Sequence, residues 1–109
     1  MHHVSVESGS DQSLRVALHG DIEAPHADQI LSEICAAIDE VLPRAVRVDL
    51  SSVTFIDTAG AGTLVRAMSA ARKAGADYAV TDASDIVRAR LRLFGLAATL
   101  GMAEEDVPP

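Results

Sequence analysis

Apolar and polar residues change their period several times along this chain, and each change marks an element. Leu14, Val16 and Leu18 alternate with Arg15, Ala17 and His19, the period of a half-buried strand, and Gly20 predicts where it ends. Val4 to Glu7 offers a shorter strand before it. From Pro25 the period lengthens: Ile30, Leu31, Ile34, Ile38, Val41 and Leu42 recur at helical spacing. Pro25 is tolerated in a first helical turn, and Pro43 closes the helix because it cannot continue the hydrogen-bond ladder. Val46, Val48 and Leu50 then share one strand face, with Arg47 and Asp49 on the other. Thr58 to Ala74 reads as a second helix with Leu64, Val65, Met68 and Ala71 on its apolar stripe and Gly75 as its stop. Tyr78 and Val80, with Ala79 between them, predict another strand. Ser84 or Asp82 is placed to cap a last helix that carries Ile86, Val87, Leu91 and Leu93 and ends at Gly95.

The expected order is strand, strand, helix, strand, helix, strand, helix. Parallel neighbours need a crossover, and helices between strands supply one. The fold class is therefore α/β: a single small domain, with a mostly parallel sheet of four to five strands packed with helices. Its core spans about residues 14–100 of the 109, with flexible ends: His2 and His3 read as an unstructured start, and the tail AEEDVPP as frayed.

Composition narrows the picture. A chain this long buries roughly two thirds of the surface its unfolded form exposes. Apolar residues make up 49% of it, but only Phe55, Phe94 and Tyr78 are aromatic, so Ala, Val, Leu and Ile must fill the core. No apolar run reaches the roughly 18 residues that span a bilayer, and the first residues lack a basic leader with an apolar stretch, which implies a cytoplasmic protein without membrane insertion. Cys35, the single cysteine, sits in the helical stretch ILSEICAAI and reads as a small packed thiol. The net charge of −7 makes nucleic acid a poor partner and favours a basic protein surface instead. Arg88, Arg90 and Arg92, with Asp82 and Asp85 close by, read as a solvated helix face.

The stretch VTFIDTAGAG, Val53 to Gly62, is the place to look for chemistry. A dinucleotide loop would need a third small residue at position 65, where Val65 stands, and a phosphate loop needs a lysine where Thr63 follows Gly62. Thr58 beside Asp57 supplies a hydroxyl and a carboxylate, but His2, His3, His19 and His26 have no recognisable spacing to it as a base. Nor do they and Cys35 form a metal-ligand pattern. No cofactor or catalytic residue is implied. Thr58 reads as an N-cap, its hydroxyl accepting a backbone N–H, and Asp57 as a carboxylate favoured at a helix start. Gly60 and Gly62 each cost up to about 1 kcal/mol in a helix, so something must approach them closely, either another backbone or a partner.

These residues carry a resemblance. The run VDLSSVTFIDTAGAG from Val48 to Gly62, preceded by His19-Gly-Asp-Ile-Glu23 and followed by Ala70-Ala-Arg-Lys-Ala-Gly75, resembles the STAS domain of bacterial anti-sigma factor antagonists. The likeness runs from Leu14 to about Leu100. It implies a non-enzymatic module that binds an anti-sigma factor, usually a serine kinase, and so releases a sigma factor to RNA polymerase. It implies a docking surface of Asp21, Asp57, Thr58, Ala59, Gly60 and Gly62. In that family the kinase phosphorylates the start of this helix, and the added charge, about −1.5 to −2, breaks the complex.

One position departs from the family. The usual acceptor is the residue just before the glycine of Asp-Ser-Ser-Gly, and here that residue is Ala59, which has no hydroxyl. Thr58 is then the candidate acceptor; otherwise the domain acts without a switch at this loop. The same resemblance also extends to STAS subunits of phospholipid ABC transporters, which carry Thr after the Asp and brace an ATPase subunit.

Overall fold

A computed structural model describes residues 3–102; the expectation for the tail Ala103 to Pro109, and that for His2, lies outside them. The elements follow in the order β1 (Val4–Ser8), β2 (Ser13–Ile22), α1 (Ala24–Val41), β3 (Ala45–Ile56), α2 (Thr58–Lys73), β4 (Asp77–Thr81) and α3 (Asp85–Leu93). The four strands lie side by side in sequence order. The short β1 turns back antiparallel onto β2. The pairs β2 with β3 and β3 with β4 are parallel, with α1 and α2 as their crossovers.

Alternation puts the apolar set on one face. Leu14 and Val16 stand in register with Val46 and Val48, which in turn meet Tyr78 and Val80. Against them α1 lays Ile30, Ile34 and Ile38, and α2 lays Ala61, Leu64 and Ala71, all buried. Without large rings to fill space, the helices must come close to the sheet and to each other. Two polar links fix that approach: the Tyr78 hydroxyl donates to the Leu64 carbonyl at 2.9 Å, and the buried Thr63 hydroxyl reaches the carbonyls of Ala27 in α1, at 3.2 Å, and Ala59, at 3.3 Å. On the opposite face Arg15 and Arg47 are exposed. Asp49, on the same face, is only 6% exposed. Burial pushes its carboxyl up, but the Ser51 N–H and the Arg15 guanidinium, which pairs with it, bring it net below the usual range.

Four details differ from the sequence reading. First, β2 does not stop at Gly20. That residue takes φ +76, the register shifts, and the strand runs on until Ile22 pairs with Ile56. Second, the nine-residue α3 touches the core with only Val87 and Leu91, leaving Ile86 66% and Leu93 81% exposed. Third, beyond Gly95 the chain returns along β4: the Val80 N–H donates to the Leu100 carbonyl, and Leu100 and Met102 are buried. Fourth, His3 is placed, its carbonyl accepting the His19 N–H and its ring stacked on His26 at 4.3 Å. Among the described residues no helix is long and apolar enough to cross a membrane.

Candidate functional site

The site forms where β2 and β3 end and two helices begin. Glu23 precedes α1 without capping it through its side chain, so the first N–H groups of that helix need an acceptor from elsewhere. Asp57 supplies one. Its Oδ1 accepts the Gly60 N–H of α2 at 2.8 Å, and its Oδ2 accepts the Ala24 N–H of α1 at 3.1 Å. One carboxylate thus caps both helices. The Gly60 N–H holds the Asp57 carboxyl below the usual carboxylate range; burial opposes the shift, and the Ala24 N–H adds to it. The N-cap is therefore Asp57, and the reading of Thr58 as the cap is corrected: Thr58 is the first residue of the helix. Asp has an acceptor atom to spare for a second helix, which a Thr hydroxyl lacks. Thr58 is exposed, and its hydroxyl is not spent on the cap.

The two glycines of this turn serve different ends. A Cβ on Gly60 would stand 2.1 Å from the Ile22 carbonyl oxygen and 2.9 Å from Ile56 Cγ1, so the backbone of β2 itself makes the close approach, and Gly60 is buried. At Gly62 the neighbour is a side chain: a Cβ would lie 3.2 Å from Nη1 of Arg66, whose guanidinium folds back over the glycine from one turn further on. Ala59 and Gly62 are half-buried. With Thr58 they form a small-sided surface in which main chain lies close to solvent.

Asp21 lies at the same end of the sheet, in register with Phe55. It is exposed and accepts a hydrogen bond from the Thr54 hydroxyl at 2.6 Å, so it flanks the helix start and is tied to β3, not to α2. Of the six residues singled out from the sequence, Thr58 and Asp21 are exposed and Ala59 and Gly62 half-buried, whereas Asp57 and Gly60 are engaged in fixing the helix starts.

Sequence reasoning missed Arg90. Its Nε–H donates to the Ile56 carbonyl at 2.7 Å, and its guanidinium lies 4.5 Å from the centre of the Phe55 ring and 5.6 Å from that of Phe94. The residue expected on a solvated face instead pins α3 to the last residue before Asp57. The only hint was two of the three aromatics of the chain, Phe55 and Phe94, standing near the ends of predicted elements.

The family model described as the STAS domain matches residues 6–106. Among solved structures, an anti-sigma factor antagonist from Mycobacterium paratuberculosis superposes with a TM-score of 0.78 at 24% identity, over 94% of this chain and 86% of that one. The anti-sigma factor antagonist SpoIIAA in its unphosphorylated form gives 0.76 at 19% identity, over 94% and 90%. A sulfate transporter family protein from Wolinella succinogenes gives 0.70 at 23% identity, over 83% and 72%. At these identities the superpositions speak for the fold.

Proposed function

Because the chain belongs to the STAS domain family, we propose that it is an anti-sigma factor antagonist: a cytoplasmic, non-enzymatic regulator of transcription that binds an anti-sigma factor of the kinase type and so frees a sigma factor. The observation that carries this reading is the division of labour at the start of α2. Asp57 and Gly60 are used up in fixing the two helices, while Thr58 is left exposed with the small Ala59 beside it, and Gly62 is covered only by the end of the flexible, exposed Arg66 side chain, which can swing away. Such a surface suits flush docking against main chain.

Thr58 is the switch position in this reading. It is the only hydroxyl in the stretch Thr58 to Ala61, and Ala59 cannot be phosphorylated. A phosphate there would add about −1.5 to −2 charge beside Asp57 and Asp21. At a close interface that charge would have to be desolvated next to two carboxylates, which opposes binding. A basic partner surface, attracted by the chain's charge of −7, would meet the unmodified form. The test is binding of the purified anti-sigma factors of the source organism to the wild-type chain and to Thr58→Glu. Loss of binding in the variant supports the reading, and equal binding refutes it. Binding only to a transporter ATPase would assign the domain to the transporter-subunit branch of the resemblance.

A further inference from the structure

The amphipathic helix α3 carries a second surface that the reading of α2 does not use. Ile86, Ala89 and Leu93 recur at i, i+3 and i+7 and therefore share one face, turned away from the buried Val87 and Leu91. That face is open to solvent, with Ile86 66% and Leu93 81% exposed and Ala89 exposed between them. Two turns apart on one flank of this stripe stand Asp85 and Arg92, both exposed. The helix dipole accounts for an acid in the first turn and a base in the last. It does not account for two large aliphatic side chains left in water.

We propose that this face pairs with the same face of a second copy of the chain, the two α3 helices running antiparallel about a two-fold axis at Ala89. The spacing is self-complementary, as a two-fold contact requires. Ile86 and Leu93 are centred on the axis, so Ile86 of each copy meets Leu93 of the other. Asp85 and Arg92 are centred almost at the same point and lie on one flank, so each Asp85 meets the other copy's Arg92, giving two ion pairs. The small Ala89 at the crossing lets the backbones approach. The remaining arginines of the helix do not oppose this: Arg88 donates to the Ala83 carbonyl, and Arg90 is committed to Ile56 and the two phenylalanine rings. A contact between two helices of nine residues is smaller than a standard specific interface, which makes this a weak, concentration-dependent dimer.

Sedimentation equilibrium of the full chain from micromolar to millimolar concentration tests the pairing. The mass of the wild type should rise from 11.4 kDa towards twice that value. Leu93→Glu should stay monomeric. Asp85→Arg alone places Arg against Arg twice, and Arg92→Asp alone places Asp against Asp twice, so each should weaken dimerisation by about tenfold or more. An equimolar mixture of these two variants, or the double variant Asp85→Arg/Arg92→Asp, should restore it. All of these side chains are exposed, so an unchanged circular dichroism spectrum is expected for every variant, while Asp85→Arg and Arg92→Asp each lower the unfolding midpoint slightly, because each reverses a charge that the helix dipole favours. A wild type that is monomeric throughout, a Leu93→Glu variant that still dimerises, or a double variant that fails to recover would overturn the proposal.

Discussion

Replacing Gly60 with alanine separates two views of the α2 start. If glycine were there only by tolerance, alanine would stabilise the helix by up to about 1 kcal/mol. The geometry demands the opposite. The new Cβ would fall 2.1 Å from the Ile22 carbonyl oxygen and 3.0 Å from the carbonyl carbon, where real Cβ atoms keep at least 3.0 Å from their neighbours. The helix start and the end of β2 must separate by about 1 Å to relieve it. Neither is free to move, because Asp57 holds the Gly60 N–H and the Ala24 N–H, and the Asp57 N–H itself donates to the Ile22 carbonyl at 3.3 Å. Overpacking of this kind costs about 1–3 kcal/mol, and a weakened cap adds about 1 more. After the gain in helix propensity, a net loss of about 1–3 kcal/mol is expected. In a domain of this size that lowers Tm by about 5–20 °C. Gly62→Ala is the internal control. Its Cβ meets only the end of the flexible Arg66 side chain at 3.2 Å, which can swing away, so propensity prevails and stability should rise by up to about 1 kcal/mol. Urea unfolding followed by far-UV circular dichroism measures both. A Gly60→Ala variant as stable as wild type, or two substitutions with the same sign, would show that β2 does not crowd this position.

Two further outcomes follow from the same junction. Asp57→Asn can satisfy the Gly60 N–H with its amide oxygen but turns an NH2 group towards Ala24, so it should lose about 1–2 kcal/mol at neutral pH. Because the folded carboxyl titrates below its ordinary value of 3.8, the stabilisation is complete above that pH and is lost as pH falls through the folded value. The gap between wild type and Asp57→Asn, read from urea midpoints across an acid series, should therefore close below pH 3.8. Arg90→Ala removes the 2.7 Å bond to Ile56 and both ring contacts and should cost about 1–2 kcal/mol in unfolding experiments. Arg90→Lys should recover less than half of it, since an ammonium cannot both stack on the rings and donate from Nε.

The repeating parts of this fold were legible because they are local. Alternation at Leu14, Val16 and Leu18, helical spacing from Ile30 to Val41, and stops at Gly75 and Gly95, both with positive φ, each declare themselves within a few residues. What escaped depends on residues far apart in the chain. Nothing near Asp57 announces that its second oxygen serves Ala24, 33 positions earlier. Nothing near Arg90 points to Ile56, and the return of Leu100 to the edge of β4 has no periodic pattern to betray it. Likewise, apolar spacing identified α3 as amphipathic but could not say that so short a helix would bury Val87 and Leu91 and leave Ile86 and Leu93 in solvent. At the site, residue types indicated a helix start with small side chains; only the coordinates separate Gly60, shaped by β2, from Thr58, which faces outwards.

If a partner seats on the first turn of α2, isothermal titration of the source organism's purified anti-sigma factor into the wild-type chain and Thr58→Glu reads that contact directly. The side chain is exposed and outside the cap, so the variant should unfold at the wild-type midpoint yet bind at least about tenfold more weakly. An intact Thr58→Glu domain that binds as tightly as wild type would contradict the account.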